Sequence, residues 1–334
     1  MPRRDQGQIR IPEDVLKRAR LVKTPPEQAL GTETRVEHHP AMNLRRLGLR
    51  FIVVVLAGWC VALAGNPPSS LNELRHASPE QLASYDIALV NLLCAEELPG
   101  AEGMDVKTCL STLDQWAEEV RLQTARNLYR YRQNPAKFSN LEGLYRMKIM
   151  NAVLMQDLHV GYDLAIDSRA ESCLPAKVFF ANSKPLFIHG LLTGKHLGTC
   201  ASLPVLYVAL GRRLGYPLKL VGAKSHLFVR WEGLDGRFNA ECTAPGLPVH
   251  DDDHYKTWPR PMTEAELKSG HYLKSMTATE EFASFLITRG NCLQVNGRLE
   301  EAHAAYQHAH ELVPASPLYT RFANARVQPT PINP

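Results

Sequence analysis

The chain has 334 residues, of which 45% are hydrophobic and 22% charged, which suits one or two domains with a sizeable core. Its net charge is +4, and most of that charge lies in the first fifty residues. The remainder therefore offers no broad basic platform, and no nucleic-acid partner is expected.

The cationic run Arg45-Arg46-Leu47-Gly48-Leu49-Arg50 leads into fifteen apolar or small residues, Phe51 to Gly65. That is short for a membrane span and right for the apolar region of a signal peptide. Ala62-Leu63-Ala64 matches the small-x-small cleavage pattern. Residues 42–65 are expected to be a signal peptide or an uncleaved anchor, with Met42 as the true start. Residues 1–41 would then be a mis-called extension or a disordered leader. The protein is accordingly expected to be exported, or membrane-anchored through residues 45–65, with membrane contact only through that segment.

A linker containing Pro67, Pro68, Ser69 and Ser70 is expected over 66–77. A helical region follows over 78–160. Ser78-Pro79-Glu80-Gln81 is a helix start, with Ser as cap and Pro at the first position. Leu82, Tyr85, Leu89, Leu92 and Leu93 then recur at helical spacing. A second helix carries Leu110, Leu113, Trp116, Val120, Leu122 and Ala125, and a third carries Leu141, Leu144, Met147, Ile149, Val153 and Leu154. Within 161–279, short strands are expected at 178–180 and 187–190. A helix is expected from Leu203, with Thr199 as its cap and Arg212-Arg213-Leu214-Gly215 as its end. The period then switches to two over 218–221, 227–231 and 238–243, with a turn at Gly233-Leu234-Asp235-Gly236. Helices followed by antiparallel strands, without a βαβ rhythm, make an α+β fold. Over 280–326, Gly290, Gly297, Ala302, Tyr306, Ala309 and Pro314 fall at the spacings of a tetratricopeptide helix pair. A single such unit caps a core; it does not form an array.

Cys200 begins the helical stretch, where the positive end of the dipole favours a thiolate. His226 heads a strand 26 residues later. A thiol beside an imidazole is the pairing of an activated cysteine nucleophile, and a third polar group must hold the imidazole's tautomer. A tight hairpin pairing Gly233 with Gly236 sets His226 opposite Thr243. Glu241 is then the diagonal neighbour of His226, and Asn239 lies one step further away. Glu241 is favoured as the orienting group, with Asn239 the alternative if a bulge shifts the count. The other cysteines, Cys94, Cys109, Cys173, Cys242 and Cys292, read as small buried side chains. His189 and His196 flank the loop to Cys200 and read as structural or surface residues. The run His250-Asp251-Asp252-Asp253-His254 is rich in ligand atoms, but adjacent residues point in different directions. It reads as a solvated acidic loop, and no metal or cofactor is expected.

These residues carry a family resemblance. Gly198-Thr199-Cys200-Ala201-Ser202-Leu203-Pro204, the helix end Arg212 to Pro217, and His226-Leu227-Phe228-Val229-Arg230 resemble the bacterial branch of the transglutaminase-like core superfamily. The resemblance is specific there and diffuse over the rest of 78–316. It implies a papain-like core carrying a Cys-His-Asp/Asn type triad, with a helical N-terminal region and a C-terminal helix pair. Glu241 or Asn239 stands where relatives commonly have Asp, and Gly198 stands where many have Gln. An oxyanion donor would come from the Cys200 backbone N–H with a second group unnamed. The implied activity is an amide hydrolase or acyl transferase working through an acyl-enzyme on a protein or peptide substrate. The other reading is a catalytically silent binding module on the same fold.

Overall fold

The computed structural model describes residues 66–166 and 176–325. The expected leader at 1–41, the signal or anchor at 42–65, and Cys173 lie outside the described residues. Among the described residues no helix is long and apolar enough to cross a membrane.

Five helices come first: α1 (Leu71–Arg75), α2 (Pro79–Ser84), α3 (Ile87–Ala95), α4 (Val106–Gln133) and α5 (Glu142–Ala152). Helix α1 lies inside the stretch expected to be a linker, started by Ser70, whose hydroxyl accepts from the Glu73 N–H. Ser78 caps α2 in a reciprocal capping box with Gln81, which satisfies two backbone donors at once. Every residue of α3 is buried, so α3 is an interior helix with no polar face. A parallel pair, β1 (Gly161–Tyr162) and β2 (Leu197–Gly198), follows.

The strands expected at 178–180 and 187–190 are instead short helices, α6 (Ala176–Phe179) and α7 (Ile188–Thr193). A brief apolar run has no period long enough to separate strand from helix, and packing decides. Here α7 buries Ile188, His189, Gly190, Leu191 and Leu192.

Helix α8 (Leu203–Arg213) is the central element, with Leu203 to Gly211 all buried. Burying each large aliphatic side chain contributes about 1.5–3 kcal/mol. Its two terminal arginines do more than complement the dipole. Arg212 forms a bidentate pair with Glu281, and Arg213 bridges Asp86 and Asp114, with Nε 2.7 Å from the Asp114 Oδ1. The end of α8 is thereby tied to three other segments.

Four strands form one antiparallel sheet in the order β3 (Leu218–Ala223), β4 (His226–Gly233), β5 (Gly236–Ala240) and β6 (Val249–His250). Gly233 pairs with Gly236, the hairpin register read from the sequence. The third strand ends at Ala240, short of the expected 243, and β6 was not foreseen. Two short helices, α9 (Asp252–Thr257) and α10 (Glu264–Lys268), precede α11 (Ala278–Val295), α12 (Leu299–Leu312) and α13 (Pro317–Asn324). The mixed helix-and-sheet architecture is α+β.

The α11–α12 pair is a close crossing. A side chain at Gly290 would sit 2.3 Å from the Tyr306 ring, so only glycine admits the tyrosine there. The Tyr306 hydroxyl donates to Asn291 at 2.8 Å, and its ring lies 5.1 Å from Phe322 of α13.

Candidate active site

Three segments converge on one point. Cys200 lies in the turn between β2 and α8, not on the helix proper. Thr199 does not cap α8 with its side chain. Instead its carbonyl accepts from the N–H groups of Ser202 and Leu203, and its hydroxyl accepts from the Ala201 N–H. Outside the turn, the Pro185 carbonyl receives the Thr199 N–H (3.1 Å), the Thr199 hydroxyl (3.0 Å) and the Ser202 hydroxyl (2.7 Å). This clamp fixes the backbone on both sides of Cys200. Gly198 completes it, because a Cβ there would meet the Ser202 Oγ at 2.5 Å and Leu191 at 2.9 Å.

His226 opens β4 directly after the two-residue turn Lys224-Ser225, where Ser225 has φ 62°. The β4–β5 ladder stops at the Val229–Ala240 pair. The next residue, Glu241, bonds its N–H to the Pro248 carbonyl. Its carboxylate reaches His226 all the same: Glu241 Oε2 lies 2.8 Å from His226 Nε2. Four donors converge on this carboxylate. Oε2 also accepts from the Tyr255 hydroxyl (3.3 Å), and Oε1 accepts from the Thr243 N–H (2.8 Å) and hydroxyl.

The electrostatics follow from that arrangement. Burial opposes charge on His226, but the Glu241 carboxylate and the ring's hydrogen bonds to Cys200 and Glu241 outweigh it and raise the imidazole's pKa to about 9. Burial likewise opposes charge on Glu241, and the His226 cation with the Thr243 donors holds its pKa below the ordinary value. A buried pair in which each partner sustains the other's charge is the result. With Nε2 committed to Glu241, the other ring nitrogen, Nδ1, is buried without a nitrogen or oxygen partner. It is the nitrogen left to face the Cys200 sulfur, which acts on this ring.

Asn239 is not part of this group. It sits opposite Arg230, accepts from the Arg230 Nε at 2.8 Å, and donates to Asp252 at 2.8 Å. The acidic run starts a helix and is not a loop; Asp251 and Asp253 are exposed, but Asp252 is half-buried. Asp251 caps α9, and Asp252 receives Arg230, Arg237 and Asn239. Arg230 is only 2% exposed, so its charge depends on these partners. The network holds α9 against the sheet and sets Tyr255 and Trp258 over the imidazole. Trp258 meets His226 edge-on at 4.8 Å between ring centres, and His254 and His250 stack behind it at 3.8 Å from each other.

Tyr255, Trp258 and Pro185 were not anticipated, and Thr243, expected opposite His226, instead donates to the Glu241 carboxylate. The only sequence signal for the first two was an Asp cap placed four residues before Tyr255 and seven before Trp258, which sets both on one side of a short helix. His189 is fully interior, with its Nε2 3.2 Å from the Ser183 hydroxyl, and burial lowers its pKa to about 4. His196 bonds the Leu191 carbonyl through Nδ1 and meets Trp116 edge-on. Burial pushes the Cys94 and Cys292 thiols up to about 12 and raises Cys109 and Cys242 as well.

Access is narrow. Cys200 is 5% exposed, His226 4% and Glu241 2%. A surface hollow bordered by Leu89, Leu93, Met104, Val106 and Leu110 contains none of the three. The three groups are therefore buried, with the half-buried Trp258 set against His226. No family model, curated protein or solved structure matches the chain.

Proposed function

We propose that the protein is a cysteine-nucleophile hydrolase or acyl transferase acting on amide bonds of a protein or peptide substrate. Cys200 is the nucleophile, His226 the acid and base, and Glu241 the orienting carboxylate, on a core of transglutaminase-like, papain-like type. The observation that carries this reading is the 2.8 Å Glu241–His226 contact, which holds one ring nitrogen and leaves the other for the sulfur. A carboxylate that fixes the imidazole while the imidazole serves a thiol is the arrangement nucleophilic catalysis needs.

The chemistry proceeds from those positions. A proton resident on His226 stabilises negative charge on the neighbouring sulfur. The sulfur attacks the amide carbonyl carbon, and a C–S bond forms as the carbonyl oxygen takes up the electron pair. The C–N bond then breaks, His226 gives its proton to the departing amine, and a thioester remains on Cys200. Water or an amine, deprotonated by His226, attacks the thioester and returns the sulfur to its first state. Water as acceptor makes a peptidase or amidase; an amine makes a crosslinking transferase.

The sealed site favours a second reading, a catalytically silent binding module that retains the fold. Iodoacetamide labelling near neutral pH, read at each cysteine by mass spectrometry, separates the two. Selective alkylation of Cys200 that disappears in His226→Ala supports the enzyme. Labelling of Cys200 no faster than Cys94, Cys109, Cys242 and Cys292 supports the module.

A further inference from the structure

We propose that the second half of α4 is a docking face for the phosphate headgroups of an anionic lipid bilayer. Outside the first fifty residues the chain is close to neutral, yet residues 120–141 hold five cations, Arg121, Arg126, Arg130, Arg132 and Lys137, and no Asp or Glu. At 100° per residue, Ala125, Tyr129 and Leu122 occupy the middle of one exposed arc. Arg121 and Arg132 lie on one side of that arc and Arg126 on the other. Arg121, Arg126 and Arg132 are exposed and Arg130 is half-buried, and the apolar centre is exposed too: Leu122 is 40% and Tyr129 50% accessible. Lys137 extends the positive edge on the following 3₁₀ turn, Pro135–Phe138. Two acids one turn earlier border the arc: Glu118, paired with Arg121, and Glu119, which accepts from the Gln123 amide and lies on the Arg126 side.

Exposed apolar residues flanked by arginines match a bilayer surface. The apolar side chains enter the headgroup zone, tyrosine suits the interface, and arginine stems snorkel while their guanidinium groups bind phosphate. A nucleic acid would use the same cations but gain nothing from Leu122. The apolar run from Phe51 to Gly65, preceded by Arg45, Arg46 and Arg50, is expected to engage a membrane as a signal peptide or as an anchor. Each surface cation contributes about fivefold to binding of an anionic membrane, so Arg126, Arg132 and Lys137 together contribute on the order of a hundredfold.

The test follows modification of individual arginines by phenylglyoxal, read by mass spectrometry on the full chain. Vesicles of phosphatidylcholine alone and vesicles half phosphatidylglycerol are compared, so that membrane capture by residues 51–65 is common to both. The face predicts that Arg126 and Arg132 react at least about tenfold more slowly with the anionic vesicles only, that about 1 M salt removes the protection, and that the sheet residue Arg237 is unaffected. Tyr129→Glu, at an exposed position, is expected to abolish the protection. Equal rates in both vesicles, protection by duplex DNA with none by anionic vesicles, or full protection retained in Tyr129→Glu would each overturn the proposal.

Discussion

Replacing Glu241 by Gln tests whether His226 is held as a cation. The carboxylate accepts four hydrogen bonds, from His226 Nε2, the Tyr255 hydroxyl, and the N–H and hydroxyl of Thr243. An amide keeps the shape but turns one oxygen into a donor. If that NH₂ faces His226, Nε2 must accept, the ring proton moves to Nδ1, and the nitrogen facing the sulfur can no longer take a proton. The pKa of His226 is raised from 6.5 to about 9 in the folded protein, and at roughly 1.4 kcal/mol per unit this is about 3 kcal/mol. Because the folded value lies above the unfolded one, that stabilisation is fully present below pH 6.5 and is lost as pH rises through about 9. Glu241, with its pKa lowered, keeps its own share down to 4.5 and loses it only below that, so the alkaline window reports His226. In Glu241→Gln, burial is left unopposed and the ring stays neutral. Urea unfolding of both proteins at about pH 6 and about pH 10 should show the gap between them closing by about 3 kcal/mol as the pH rises. A gap that does not change with pH would refute the charged pair, and with it the role given to Glu241.

Asn239→Ala should cost about 1–3 kcal/mol of stability by stripping partners from buried Arg230, while iodoacetamide labelling of Cys200 stays within about twofold of the parent. Labelling lost in this variant would mean that Asn239, not Glu241, orients the imidazole. Gly198→Ala forces a Cβ against Ser202 and Leu191; a loss of about 1–3 kcal/mol in urea unfolding should accompany slower Cys200 labelling, and an unchanged rate would show that the Pro185 clamp does not position the thiol. Trp258→Ala removes the ring over His226 and should raise the Cys200 labelling rate on the order of tenfold, since local opening no longer has to displace it. An unchanged rate would place the route to the thiol elsewhere.

The helices that begin with explicit caps, Ser78 and Thr277 among them, were open to sequence reading or rest on local chemistry of the same kind. So was the β4–β5 hairpin: a two-residue turn between Gly233 and Gly236 sets the register, which places Asn239 opposite Arg230, while Glu241 lies beyond the last ladder pair and reaches His226 through its side chain. These are short-range consequences of backbone geometry, in which sequence separation and spatial separation are nearly the same thing. The runs at 178–180 and 187–190 failed for the complementary reason. Runs of three or four residues carry no usable period, and burial in the interior decided the conformation of the second, in α7.

What the chain alone determined is which residue types stand at the helix start and strand head, and how far the hairpin carries the carboxylate. Tertiary structure decided the rest: that the Pro185 carbonyl, distant in sequence, grips the Cys200 turn, that Asp252 anchors a helix on Arg230, and that this helix lays Trp258 across the imidazole. Each of these joins segments whose separation along the chain imposes no geometry. Only the burial of the surrounding apolar surface, summed over the whole core, brings them together.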